Sequence, residues 1–136
     1  MQPTTPRHFL TVAAQRLEVA EEILEKLGRS LEAQYIGGYS VECSLKALIL
    51  EKTPVADRPL VLEQLTHGAA FHRPEVLLGR LSALGVDLSP KLAKRMRRFD
   101  WSTDLRYEIG RKDTGETNAL LNSAREIYFW VKPQIS

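Results

Sequence analysis

The chain has 136 residues, 43% of them hydrophobic, and a formal net charge of +2. That is the length of one ordinary domain with enough apolar content to bury a core, so residues 1–136 read as a single domain whose overall charge names no partner. Cys43 is the only cysteine, which excludes a disulfide framework and a thiolate metal site, and no apolar run approaches the length of a bilayer span. The opening Met-Gln-Pro-Thr-Thr-Pro-Arg-His has neither the charged start nor the apolar stretch of a signal peptide, so a cytoplasmic protein without membrane contact is expected.

Taken in chain order, the apolar periodicity predicts helices only. The first runs from about residue 7 to 27, with Leu10, Ala13, Ala14, Leu17, Ala20, Leu24 and Leu27 inward, Arg16 on the wet side, and Gly28 as its stop. The second follows at once, from about 30 to 52, with Ser30 as N-cap, and so short a connection makes the pair antiparallel neighbours. Residues 53 to 73 are punctuated by proline, with a short helix around Val61, Leu62 and Leu65. Pro74 suits the first position of a third helix, with Leu77, Leu78, Leu81 and Leu84 inward and Gly85 ending it. Ser89-Pro90 opens a fourth, with Leu92, Met96 and Phe99 inward. Residues 100 to 115 read as a loop rich in Trp, Arg and Tyr. The last helix, about 116 to 132, turns Leu120, Leu121, Ala124, Ile127, Tyr128 and Val131 inward and leaves Phe129 and Trp130 off that stripe. The fold class is all-α: an antiparallel helical bundle of four long helices with short additional ones.

The second helix carries the strongest signal. Leu31, Tyr35, Gly38, Glu42, Leu45 and Ile49 fall on one stripe, while Ile36, Val41, Cys43, Leu48 and Leu50 fill much of the other side. A helix apolar nearly all round belongs in the middle of a bundle, and Gly37-Gly38 lets another backbone approach it. Glu42 stands where a core residue is expected, so its carboxylate needs a partner. Lys46, one turn on, reaches it only from the helix edge. Arg106, in the loop with Trp101 and Tyr107, has the forked guanidinium that suits a partly buried carboxylate. Either Arg106 reaches Glu42 and pins the loop, or it stays free for an anionic ligand with Glu42 orienting it.

Charge is unevenly spread. Residues 91–112 carry +5 and leave −3 on the remainder, which makes Lys94, Arg95 and Arg98 candidates for gripping phosphates. His67 and His72 are five apart, which does not place two imidazoles on one helix face, so no metal and no cofactor is expected.

The run Gly38-Tyr-Ser-Val-Glu-Cys-Ser-Leu-Lys-Ala47 closely resembles the second-helix signature of HEPN domains. His72-Arg-Pro-Glu-Val-Leu-Leu is similar to the element that opens the family's next helix, and Leu105-Arg106-Tyr107 to its Arg-Tyr element before the last helix. The resemblance spans the chain from the first helix to Val131. It implies a helical bundle that often dimerises, and a role with nucleotides or RNA beside a nucleotidyltransferase protein partner, in a toxin–antitoxin pair or a defence system.

Many family members are metal-independent ribonucleases with an Arg followed four to six residues later by a His on the last long helix. No histidine occurs here beyond His72, so the general acid/base of that pattern has no occupant. The expected function is therefore a non-catalytic HEPN-like module, a homodimer that binds a nucleotide, RNA or a protein partner. Its expected ligand-binding residues are Arg106, Tyr107, Glu42, Lys46, Lys94, Arg95 and Arg98. The alternative is a metal-independent ribonuclease with an atypical site, using Arg106 as phosphate clamp and His72 or Tyr107 as proton carrier.

Overall fold

The computed structural model describes residues 2–67, 69–98 and 101–136, and among these every regular element is helical. Three helices are long: α1 (Pro6–Glu22), α2 (Ser30–Lys52) and α6 (Thr114–Val131). Three are short: α3 (Arg58–Thr66), α4 (Pro74–Ala83) and α5 (Pro90–Arg97). Short 3-10 segments at Val55–Asp57, Ala69–His72, Thr103–Tyr107 and Lys132–Gln134 fill the connections. No helix among the described residues is long and apolar enough to cross a membrane.

Local chemistry explains the boundaries. Thr5 accepts a hydrogen bond from the His8 N–H at the start of α1, Ser89 from Leu92 at α5, and Asp113 from Glu116 at α6. α1 closes through a π-helical turn, Ile23–Leu27, and stops where Gly28 adopts φ 63°, a left-handed conformation that disfavours a side chain. Ser30 is not the expected N-cap. It lies inside the first turn of α2, and its Oγ donates to the Lys112 carbonyl (2.7 Å) and accepts from the Lys112 N–H (2.9 Å). Those two backbone groups belong to a non-helical segment and would otherwise need water.

α2 is the central helix. Every residue from Ser40 to Leu50 is buried, with α1, α6 and α4 packed around it. Ser40 donates to the Ala13 carbonyl (2.8 Å), and Ala20 faces Gly37, so α1 runs antiparallel to α2. Gln34 donates to Thr117 (3.0 Å) and Gly37 faces Leu121, so α6 runs in the same direction as α2. The intervening α3, α4 and α5 carry the chain back between them. The two glycines admit side chains rather than the expected backbone. A Cβ on Gly37 would lie 2.5 Å from Leu121 Cδ2, and one on Gly38 would overlap the Trp101 indole.

Three assignments change. Leu27 is 67% exposed, because the π-helical turn that closes α1 carries it off the buried stripe. Leu84 is 37% exposed because α4 ends at Ala83, which puts Leu84 in the turn at Gly85. Trp130 packs partly against the core, whereas Phe129 is 57% exposed. Phe99 lies outside the described residues.

Candidate functional site

Glu42 is buried, as its place on the α2 stripe requires, and its two oxygens have different partners. Lys46 Nζ donates to Oε2 at 3.2 Å, and His72 Nδ1 lies 3.0 Å from Oε1. A carboxylate only accepts, so Nδ1 is the donor and Nε2 is left without a proton in the neutral ring. Lys46 is itself only 3% exposed, so it meets Glu42 from within the core and not from the helix edge. The reason is local: Glu42 and Lys46 are four apart on a helix buried all round, so there is no edge to reach from.

Arg106 does not pair with Glu42. In the turn Thr103–Tyr107 it is Leu105 that turns inward, and Trp101 ahead of it packs beside Gly38. Arg106 is consequently exposed, with its guanidinium 4.8 Å from the centre of the Tyr107 ring, which is 74% exposed. The loop is pinned by Trp101 instead. Its Nε1 donates to the Tyr35 carbonyl (3.2 Å), and its ring meets Tyr39 edge-on at 5.1 Å.

The Glu42 cluster lines a cavity of about 530 Å³, a size typical of single small-molecule sites. α2 supplies Tyr35, Tyr39, Glu42, Cys43 and Lys46 from one face, α1 supplies Phe9, Val12 and Arg16, and Thr66 and His72 close the far side. The extended residues Gln2 and Pro3 complete the wall. Apolar and aromatic groups dominate, with three cationic or ionisable nitrogen donors, Arg16, Lys46 and His72, around one carboxylate.

Two further groups in this wall have shifted acidities. Burial, followed by the nearby Glu42 charge, pushes the Cys43 thiol up to about 12. Burial, and then the 3.2 Å contact with the Tyr35 hydroxyl, raises the Tyr39 phenol above its ordinary range. Neither is a nucleophile near neutral pH, since the reactive species is the deprotonated one.

The candidate residues thus separate into two places. Glu42, Lys46 and His72 meet in the cavity. Lys94 and Arg95 lie on α5, Arg98 caps its C-terminal end, and Arg106 with Tyr107 lies on the turn Thr103–Tyr107; none of the five lines the cavity, although the Arg106 charge acts on Tyr39 in its wall. Lys94 and Arg98 are exposed, but Arg95 is braced across to α6 by a 2.6 Å bond from Nη2 to Glu126 Oε2. Arg16, Tyr35 and Tyr39 line the cavity without having been singled out as site residues. The spacing of Tyr35, Tyr39, Glu42 and Lys46 along one α2 face was the available signal; Arg16, on the wet side of α1, carried none. Among the described residues no group of three His, Cys, Asp or Glu side chains is placed to hold a metal ion. No protein-family model, curated protein or solved structure matches this chain.

Proposed function

We propose that the protein is a non-catalytic HEPN-like module that binds a nucleotide or RNA through phosphate groups. The observation that carries this reading is the cavity in which Arg16, Lys46 and His72 stand beside Tyr35 and Tyr39. Cationic donors recognise phosphate oxygens, and aromatic faces take up a base or sugar. The exposed cations of α5 and the turn after it, Lys94, Arg98 and Arg106, add a positive field that draws anions toward this side of the sequence. The exposed Phe129 on α6, with half-buried Tyr128 beside it, supports a homodimer contact. The resemblance to HEPN domains implies a nucleotidyltransferase as protein partner, in a cytoplasmic toxin–antitoxin or defence setting.

One observation favours a second reading. Glu42 holds His72 through Nδ1 and leaves Nε2 toward solvent or ligand, the arrangement of a general base with its orienting carboxylate. In that reading the protein is a metal-independent ribonuclease with His72 as proton carrier. Arg106 and Tyr107, outside the cavity, take no part in it. Incubating labelled RNA without metal, with cleavage and retention scored in parallel, separates the two. Retention without cleavage supports the binding module. Turnover that His72→Ala abolishes would establish the ribonuclease, and neither retention nor cleavage at low salt would leave only the protein-partner role.

A further inference from the structure

The Glu42 cluster is an expensive way to hold a core together. A buried ion pair is often no more stabilising than apolar residues of the same volume, and most of the other buried α2 positions carry such residues. Lys46 also looks under-used as a structural group. An ammonium has three N–H donors, and among the described residues one is engaged, with Glu42. Among the described residues, the other two donors of this side chain, which is 4% exposed, have no partner and are open to an acceptor in the cavity. The imidazole of His72 likewise has its one hydrogen bond, among the described residues, through Nδ1.

The charge balance in the cavity points the same way. Glu42 neutralises one positive charge, and Arg16 and Lys46 supply two, so the wall is net positive by one, and by two when His72 is protonated. Arg16 belongs to this group physically as well as by position, because its charge, like those of Glu42 and Lys46, acts on the Cys43 thiol.

We infer that the cavity takes a terminal phosphomonoester, with Lys46, Arg16 and the protonated imidazole of His72 on the phosphate and Tyr35 and Tyr39 along the organic group it carries. This rests on the phosphate-binding reading above and narrows it. A phosphomonoester presents three free oxygens and close to two negative charges, which matches Lys46, Arg16 and the protonated imidazole of His72, the form in which Nε2 donates and the wall carries +2. An internal phosphodiester offers two free oxygens and one charge, and leaves fewer acceptors for the donor set, above all for the buried Lys46. The apolar remainder of the wall (Phe9, Val12, Ile36) gives inorganic phosphate nothing to contact and favours a bulky ester.

The phosphomonoester has two possible sources, a free nucleoside monophosphate or the phosphorylated end of an RNA strand. Fluorescence anisotropy distinguishes them, using one short labelled RNA with a 5′-phosphate, with a 3′-phosphate, or with hydroxyls at both ends, and free nucleoside monophosphate as competitor. One phosphorylated strand should bind at least about tenfold more tightly than the hydroxyl strand if the source is an RNA end. If the source is a free nucleotide, the monophosphate should bind in calorimetry where the unphosphorylated nucleoside does not. In either case Arg16→Ala and His72→Gln should remove most of the preference for phosphate. Both variants avoid stranding a buried charge, since Arg16 is exposed and glutamine can still donate to Glu42.

Equal affinity for all three strands together with no monophosphate binding would overturn the inference and leave the RNA-binding reading intact. A preference unchanged in both variants would overturn the assignment to this cavity. No binding by any strand or by the monophosphate would overturn both readings.

Discussion

Glu42 accepts one bond on each oxygen, from Lys46 and from His72, so removing either side has a different expected cost. Lys46→Met strands a buried carboxylate with only the imidazole left, and should destabilise the fold by roughly 3–5 kcal/mol. Combining it with Glu42→Gln should cost less than the sum of the single changes, because the second mutation removes the charge that the first one stranded. Urea unfolding of the four proteins in that cycle measures the coupling. The same cycle run on Glu42→Ala and Arg106→Ala should be additive within about 0.5 kcal/mol, since Arg106 is exposed and elsewhere. Cys43 gives a second test at this scale. Burial pushes its thiol up to about 12 and also shields it, so alkylation at pH 8 should be far slower in the native protein than in denaturant. The sign for stability follows from the same shift. The folded value lies above the ordinary thiol value of about 8.5. The contribution is therefore complete below about pH 8.5 and is lost as pH rises toward about 12. Unfolding midpoints measured across that window should fall for the native protein and fall less for Cys43→Ala.

The segment from Trp101 to Lys112 depends on two attachments to α2. The indole occupies the gap at Gly38, and Ser30 holds both backbone groups of Lys112. Gly38→Ala places a methyl group inside the indole and should displace it, at a cost of about 1–3 kcal/mol or more. Near-ultraviolet circular dichroism should report the loss of the edge-on contact between Trp101 and Tyr39. Ser30→Ala leaves a pair of backbone groups to water and should loosen the same segment without moving the indole. Amide exchange around residues 110–113 is the measurement that tells the two variants apart.

At the scale of the whole molecule, the proposed dimer and the proposed field of the basic segment have separate tests. Light scattering at tens of micromolar should give twice the chain mass, and Phe129→Asp should return it to one chain if the exposed ring is in the contact. A single chain's mass for the native protein would remove the dimer from the proposal. RNA retention should fall steeply with added salt, and replacing Lys94 and Arg98 with glutamine should flatten that dependence. Arg95 is left out of that variant because it braces α5 to α6.

Residue type and spacing alone were enough to settle the all-helical class, the capping serine at residue 89, the glycine stops and the central place of α2, but not the lengths, since the third and fourth expected helices are short. Each of these depends on chemistry within a few neighbouring residues: periodicity, a hydroxyl near free N–H groups, or the absence of a Cβ. The need of Glu42 for a partner was equally local, because burial of its stripe followed from the same periodicity. Which partner it takes was not. His72 stands 30 positions away and Arg106 lies in a segment whose register is set by where Trp101 finds room beside Gly38. Arg16 joins the cavity only because α1 lies antiparallel across α2. Packing of a large indole into one glycine gap, together with the crossing of two helices, decided which charges share a site, and neither is encoded in the spacing of the charges themselves.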